Sequence, residues 1–184
     1  MNMYELPVGE YAPEIIDAVI EIPKDTRNKI EYDHELGVFR IDRVLYSPVR
    51  YPGDYGFIPS TLSPDGDALD VLVLVTEPTF TGCLFTVRPI GLLEMTDEAG
   101  SDEKVLAVPD RDPRFLEVRD LADLPQHLLR EAEYFFDIYK ELEGKETAVL
   151  GWHPVTHAHR VINEAIQRFA QARGQRAQQQ SRPI

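Results

Sequence analysis

Apolar and polar residues alternate through much of the first hundred positions, in short runs at 18–22, 38–45, 71–75 and 85–93 separated by Pro and Gly. A further apolar run begins at Lys104 and extends through Val108, directly after a stretch rich in acids. Short strands with turn signals between them predict an antiparallel barrel or sandwich. The period then changes. Leu128, Ala132, Phe135, Tyr139 and Leu142 are spaced by four, three, four and three, behind a start signal at Asp123 and Pro125, which predicts a helix with one apolar seam. A second helix is predicted from about 156 to 173, with Ile162, Ala165, Ile166 and Phe169 on one face and Gly174 at the C′ position. Strands first and helices last is an α+β, mainly β order. The chain is therefore expected to fold as one domain over 1–174, with the Gln-rich 175–184 as a disordered tail.

Length and composition agree with this. The 184 residues suit one domain, and a hydrophobic fraction of 43% suffices for its core. The net charge of −13 argues against broad electrostatic binding to nucleic acid or to an anionic membrane, so an anionic ligand would need positive charge supplied locally. Cys83 is the sole cysteine, which excludes an intramolecular disulfide and allows a reducing compartment. No signal-peptide pattern and no long apolar span is visible, so the cytoplasm is the expected location.

The densest chemistry lies where the third run begins. Asp65, Asp67 and Asp70 lead directly into Val71-Leu72-Val73-Leu74-Val75. Carboxylates so close together repel unless positive charge lies between them, and a divalent cation is the economical source. If 65–67 is extended, Asp65 and Asp67 point to the same side, with Gly66 allowing a close approach. Oxygen donors alone select Mg²⁺, Mn²⁺ or Ca²⁺ over zinc or copper. An EF-hand fails the count, because the sixth and twelfth positions from Asp65 hold Asp70 and Thr76 instead of Gly and Glu. A solvated acidic turn is the plain alternative. Elsewhere, strict alternation puts Arg43 on a face with Phe39, Ile41 and Leu45, where it requires a buried anion. Glu21 sits in an apolar run, and Lys29 and Glu31 share a face across Ile30 if that stretch is extended. A second acidic turn, 97–102, precedes Lys104.

Taken together, Asp65-Gly66-Asp67-Ala68-Leu69-Asp70-Val71, Glu21-Ile22-Pro23, Lys29-Ile30-Glu31-Tyr32, Asp42-Arg43, Tyr51-Pro52-Gly53-Asp54-Tyr55-Gly56, Met95-Thr96-Asp97-Glu98-Ala99-Gly100, Asp102-Glu103-Lys104 and the run from Phe135 to Glu143 resemble the family I soluble inorganic pyrophosphatases in order and separation. The resemblance implies a distorted five-stranded OB-like barrel with flanking helices, usually assembled as a homohexamer. It implies Mg²⁺ as cofactor, with Mn²⁺ or Zn²⁺ as substitutes, and pyrophosphate as substrate. Metal-binding carboxylates fall on Asp65, Asp70, Asp97 and Asp102, with Glu31 serving an ion that arrives with substrate. The general base falls on Asp67. Phosphate binding falls on Lys29, Arg43, Lys104, Tyr139 and Lys140, while Tyr55 and Glu21 line the cavity. Position 68, often Pro in that family, is Ala here. The motifs contain no Ser, Cys or His nucleophile, so direct attack by water is implied.

Other residues receive plainer readings. His153, His157 and His159 suggest a nitrogen-ligand metal site, but the balance favours surface histidines near a helix start. Trp152, Phe80 and Phe85 are expected in the core. Tyr134 and Ile138, an i, i+4 pair, could pack internally or against another subunit. A non-enzymatic OB module or a calcium-dependent interaction protein would not need two acidic turns together with this set of bases.

Overall fold

The computed structural model describes residues 2–98 and 100–180, the last five by backbone alone. Along the chain run β1 (Ile16–Ile22), β2 (Asn28–Asp33), β3 (Val38–Val44), β4 (Asp54–Phe57), β5 (Asp70–Val73), β6 (Leu84–Asp97), β7 (Gly100–Pro109), α1 (Gln126–Ile138), β8 (Ala148–Pro154) and α2 (Val155–Gln180). The main sheet has the order β1-β4-β5-β7-β6-β8, and an additional β1–β6 pairing closes five of these strands into a ring. Neighbours in the ring are antiparallel except β5 and β7, which are parallel. Counted along the ring strands alone, the order is 1-2-3-5-4-1, the OB-like barrel implied by the resemblance. β8 extends the sheet from β6, and β2 and β3 form a separate two-stranded hairpin.

β6 serves three partners because it is long and bends. Its start pairs with β1, most of its length pairs with β7, and residues 91–96 pair with β8. The register with β7 shifts between Pro89 and Gly91, where a proline without an N–H and a residue without Cβ tolerate a bulge. β6 and β7 also reach farther than alternation predicts, to Asp97 and from Gly100, so Asp97 and Asp102 lie on paired strands instead of in a loop. Ala99, between them, lies outside the described residues.

Two apolar layers cover the sheet. Leu72, Leu74, Leu106 and Val108 pack with Leu129, Ala132, Phe135 and Phe136 of α1, while Val71, Val73, Val105 and Ala107 pack with Ala158, Val161, Ile162 and Ala165 of α2. Even and odd positions thus separate cleanly, as the two faces of a pleated strand require. In α1 the buried seam is Leu129, Ala132, Phe135 and Phe136, whereas Leu128 is 37% exposed and Leu142, beyond the helix, is 62% exposed. Phe135 and Tyr139 hold the expected places; the seam is broader and rotated at both ends. α2 runs straight through Gly174, which does not take a left-handed conformation. Helix-favouring Ala, Gln and Arg around it outweigh a single glycine. The backbone expected to be a disordered tail is helical to Gln180, and residues 181–184 lie outside the described residues. Among the described residues, no helix is long and apolar enough to cross a membrane.

Candidate active site

The site forms where β5 and β7 run out of apolar residues. Continuing the even-numbered face toward the strand starts brings Asp70, Lys104 and Asp102 beneath the C-terminal end of α1, and the parallel register sets Asp70 beside Lys104. The Lys104 side chain is only 3% exposed, and its Nζ lies 2.8 Å from both Asp70 Oδ2 and Asp102 Oδ1. It also donates to the Tyr55 hydroxyl at 2.9 Å, and that hydroxyl donates to Asp70. Burial pulls the Lys104 ammonium toward a lower pKa, but Asp70 and then Asp102 outweigh it, leaving the group well above its ordinary value.

Lys140 repeats the pattern. Tyr139 caps α1, its N–H bonding the Phe135 carbonyl at 2.9 Å and its ring stacking on Phe135 with centroids 5.3 Å apart. That anchor places Lys140 Nζ 2.8 Å from Asp97 Oδ2 at the end of β6. Burial again opposes the charge on Lys140, and Tyr139 followed by Asp97 raises its pKa. On β2, Lys29 pairs with Glu31 and lies 3.6 Å from Asp42. Asp42 pairs in turn with Arg43, whose Nε donates to the buried Glu143 at 2.9 Å. Glu143, from beyond α1, thus partners Arg43, but the face that alternation gave Arg43 is not a buried one, since Ile41 on it is 57% exposed.

The stretch 65–67 is a turn and not an extended segment. Gly66 has φ +100°, its N–H bonds the Ser63 carbonyl at 3.1 Å, and the Asp67 N–H bonds the Asp65 carboxylate at 3.0 Å. This short-range acceptor offers the backbone an Asx turn that competes with the strand. Loss of hydration, then Asp65, Asp70 and Glu31, raises the Asp67 carboxyl above its ordinary value, against the pull of Lys29. Glu21 is buried and accepts the Tyr32 N–H at 2.7 Å; burial outweighs that bond, and with Asp70 and Glu31 it pushes the carboxyl up to about 8.

Every site residue that the resemblance assigns, except Arg43, lines one cavity of about 560 Å³. Arg43 stands behind its wall, joined to Lys29 through Asp42. The carboxylates are distributed around this cavity among lysines. Among the described residues no three of them are gathered around one point, as a formed metal centre would require. A family model described as inorganic pyrophosphatase matches residues 18–170.

The chain belongs to the inorganic pyrophosphatase family. The inorganic pyrophosphatase of Geobacillus stearothermophilus is 49% identical over 156 residues, covering 85% of this chain and 94% of that one. The Nostoc sp. inorganic pyrophosphatase is 47% identical over 169 residues, covering 92% and 99%. The crystal structure of the Thermus thermophilus inorganic pyrophosphatase superposes with a TM-score of 0.91 at 45% identity, over 92% of this chain and 99% of that chain. Family membership carries with it a divalent-metal requirement, and the carboxylate oxygens of the cavity fit such an ion.

Tyr4, Tyr32, His34 and Phe57 also line the cavity of this family member, and sequence reasoning did not single them out. Tyr32 stands in a quoted motif, next to Glu31, but Tyr4 lies far from it in sequence and carried no signal. Two of the three candidate histidines do meet. His153 on β8 bonds Glu94 at 2.6 Å and stacks on His157 of α2, with centroids 4.3 Å apart, while His157 accepts from Arg160 at 2.8 Å. Of the expected core aromatics, Trp152 and Phe85 pack against the core, but Phe80 is 67% exposed in the loop before β6.

Proposed function

We propose that this chain hydrolyses inorganic pyrophosphate to two orthophosphates by direct attack of water, with Mg²⁺ as its cation. The observation that carries the reading is the interleaving of ammonium and carboxylate groups in one cavity: Lys104 between Asp70 and Asp102, Lys140 on Asp97, and Lys29 on Glu31. A substrate with charge on two phosphates requires cations for both, and Lys and Arg alone would not balance a chain this acidic.

Asp65, Asp70, Asp97 and Asp102 would hold Mg²⁺, and Glu31 would serve an ion brought with the substrate; Mn²⁺ or Zn²⁺ would be substitutes. The bound cation supplies neutralisation of phosphate charge and a more acidic water. Once Asp70, Asp102 and Asp97 are engaged elsewhere, Lys104 and Lys140 are free to donate to phosphate oxygens, together with Lys29, Tyr55 and Tyr139. Arg43, held outside the cavity lining by Asp42 and Glu143, would have to turn from them to join this set. Asp67, with its raised proton affinity and its place on the wall, takes the proton of the attacking water. Glu21, uncharged over much of the neutral range, lines the cavity without adding a full negative charge beside the phosphates. We further assign the protein to the cytoplasm and to a homohexamer.

The test is release of orthophosphate from pyrophosphate with Mg²⁺, before and after EDTA. Activity that persists after exhaustive chelation, or none at any Mg²⁺ concentration, overturns the reading. Because the bases enclose both phosphates, kcat/KM under Mg²⁺ should strongly favour pyrophosphate over ATP and a phosphomonoester. Comparable values for the three would remove the assignment of two phosphate pockets.

A further inference from the structure

The hairpin β2–β3 brings Lys29 and Glu31 to the cavity and, among the described strands, pairs with none of the barrel. A two-stranded hairpin is marginal by itself, so something must fix it. Its base is closed by the Leu45 N–H on the Arg27 carbonyl at 2.8 Å, a bond within the hairpin, and is tied to the rest of the chain by Arg43 to Glu143 at 2.9 Å. Its middle, around Glu31 and Tyr32, is held differently. Tyr32 and Phe39 enter a small apolar cluster with Val19 and Phe57 of the barrel, Ala68 of the acid turn, and Tyr4 of the amino-terminal turn.

Tyr4 touches most of these parts. Its ring lies 4.6 Å from Phe57 and 5.4 Å, edge-on, from Tyr32, and 5.7 Å from His34. The neighbouring Met3 N–H donates to the Tyr32 hydroxyl at 3.1 Å. The turn is itself locked to the barrel: the Ser60 N–H donates to the Tyr4 carbonyl at 2.8 Å and the Ser60 hydroxyl to the Leu6 carbonyl at 2.7 Å. The same Tyr32 offers its backbone N–H to Glu21 at 2.7 Å, so the ring contacts and that bond fix one point of β2 from two sides.

We infer that Tyr4 is a positioning residue for the substrate site: it clamps the middle of the β2–β3 hairpin, and with it Lys29 and Glu31, against the barrel wall beside the turn that carries Asp67. The inference rests on the pyrophosphatase reading for its kinetic consequence, though not for its structural one. Tyr4 itself transfers no proton and holds no phosphate in this scheme; its ring packs on Tyr32 and Phe57, and its hydroxyl adds only a long hydrogen bond to the Tyr32 carbonyl at 3.5 Å.

The test compares Tyr4→Ala and Tyr4→Phe with the unaltered chain in two measurements. Hydrogen exchange of the segment 28–44, in EDTA, requires no activity; Tyr4→Ala should speed it about tenfold or more, while Tyr4→Phe, which keeps the ring, should leave it within about twofold. At saturating Mg²⁺, Tyr4→Ala should raise KM for pyrophosphate about tenfold with a smaller fall in kcat, and Tyr4→Phe should restore both. Unchanged exchange and kinetics in Tyr4→Ala overturn the inference. So does a Tyr4→Phe variant as impaired as Tyr4→Ala, because the hydroxyl bond to Tyr32 and not the ring packing would then matter. If Tyr4→Ala does not fold, Tyr4→Leu keeps apolar bulk but removes the ring contacts to Tyr32 and Phe57; exchange in 28–44 should rise, and unchanged exchange overturns the inference. If the unaltered chain fails to hydrolyse pyrophosphate, the functional reading falls, while the exchange arm still decides the clamp.

Discussion

Neighbouring aspartates have separate chemistry because their surroundings differ. Asp70 is bound to the Lys104 ammonium and the Tyr55 hydroxyl at the start of a strand, whereas Asp67 sits on a turn with its proton affinity raised. Asp70→Asn removes an anionic ligand and is expected to weaken Mg²⁺ binding together with rate. Asp67→Asn is expected to lower the rate by about 10²–10⁴ with less change in Mg²⁺ affinity, as for lost base catalysis. Titrating Mg²⁺ by calorimetry and by rate checks both, and equal loss of affinity would make Asp67 another ligand. Glu21 gives a pH signature. Its carboxyl rises from 4.5 to about 8 on folding, so the folded state holds a proton that the unfolded state releases, and stability falls as pH rises through that window. Each tenfold difference in proton affinity is worth about 1.4 kcal/mol, so the span amounts to a few kcal/mol. Glu21→Gln keeps an acceptor for the Tyr32 N–H and should flatten this fall between about pH 4.5 and 8. Urea melts of both proteins in EDTA across that range decide it; parallel pH profiles would mean that Glu21 is charged in the folded state.

At the scale of elements, β4 shows how a functional strand can hide. Its Asp-Tyr-Gly-Phe sequence looks like a turn, yet it is buried throughout, and Asp54 is satisfied by the Lys24 N–H at 2.8 Å and the Thr79 N–H at 2.9 Å. Gly56 is there because β1 approaches it: a Cβ would lie 1.9 Å from the Val19 carbonyl oxygen. Gly56→Ala should therefore cost about 3 kcal/mol or more, or roughly 6–12 °C in Tm, and disturb Tyr55 next to it. Thermal unfolding checks this, and a Tm within 2 °C would show that β1 can move aside. The strands at 16–22, 38–44, 70–73, 84–97 and 100–109 were legible over 18–22, 38–45, 71–75, 85–93 and 104–108, because each contains an apolar alternation or an unbroken apolar run. Those at 28–33, 54–57 and 148–154 were harder to read because charge, a buried Asp and a glycine interrupt theirs. The carboxylates and lysines of the cavity were legible through motif order, since Lys104 and Asp70 announce themselves as charges beside apolar runs. Tyr4 was not, because its role arises only when the amino-terminal turn folds onto Phe57, far away in sequence.

For the whole molecule, the question is what covers the flank formed by α1 and β8. β8 pairs only with β6 among the described strands, leaving its other side as an edge, and edges of this kind invite pairing or need cover. Leu150 on that strand is 59% exposed and Tyr134 on α1 is 63% exposed. Both line a shallow depression of about 470 Å³ together with Arg130, Glu133, Asp137 and Val149, so apolar contact is ringed by charges of both signs. Tyr134 stands on its helical side, whereas Ile138, one turn on, is half-buried and does not line it. Such a patch suits a second copy of the chain better than solvent. Light scattering at micromolar concentration should give about six times the 21.0 kDa chain mass, in keeping with the proposed hexamer. Tyr134→Glu combined with Leu150→Glu should shift the mass to a smaller species while circular dichroism stays unchanged, because neither side chain is buried in the core. A hexamer indifferent to both substitutions would move the interface elsewhere, and a monomer of 21.0 kDa for the unaltered chain would refute the assembly outright.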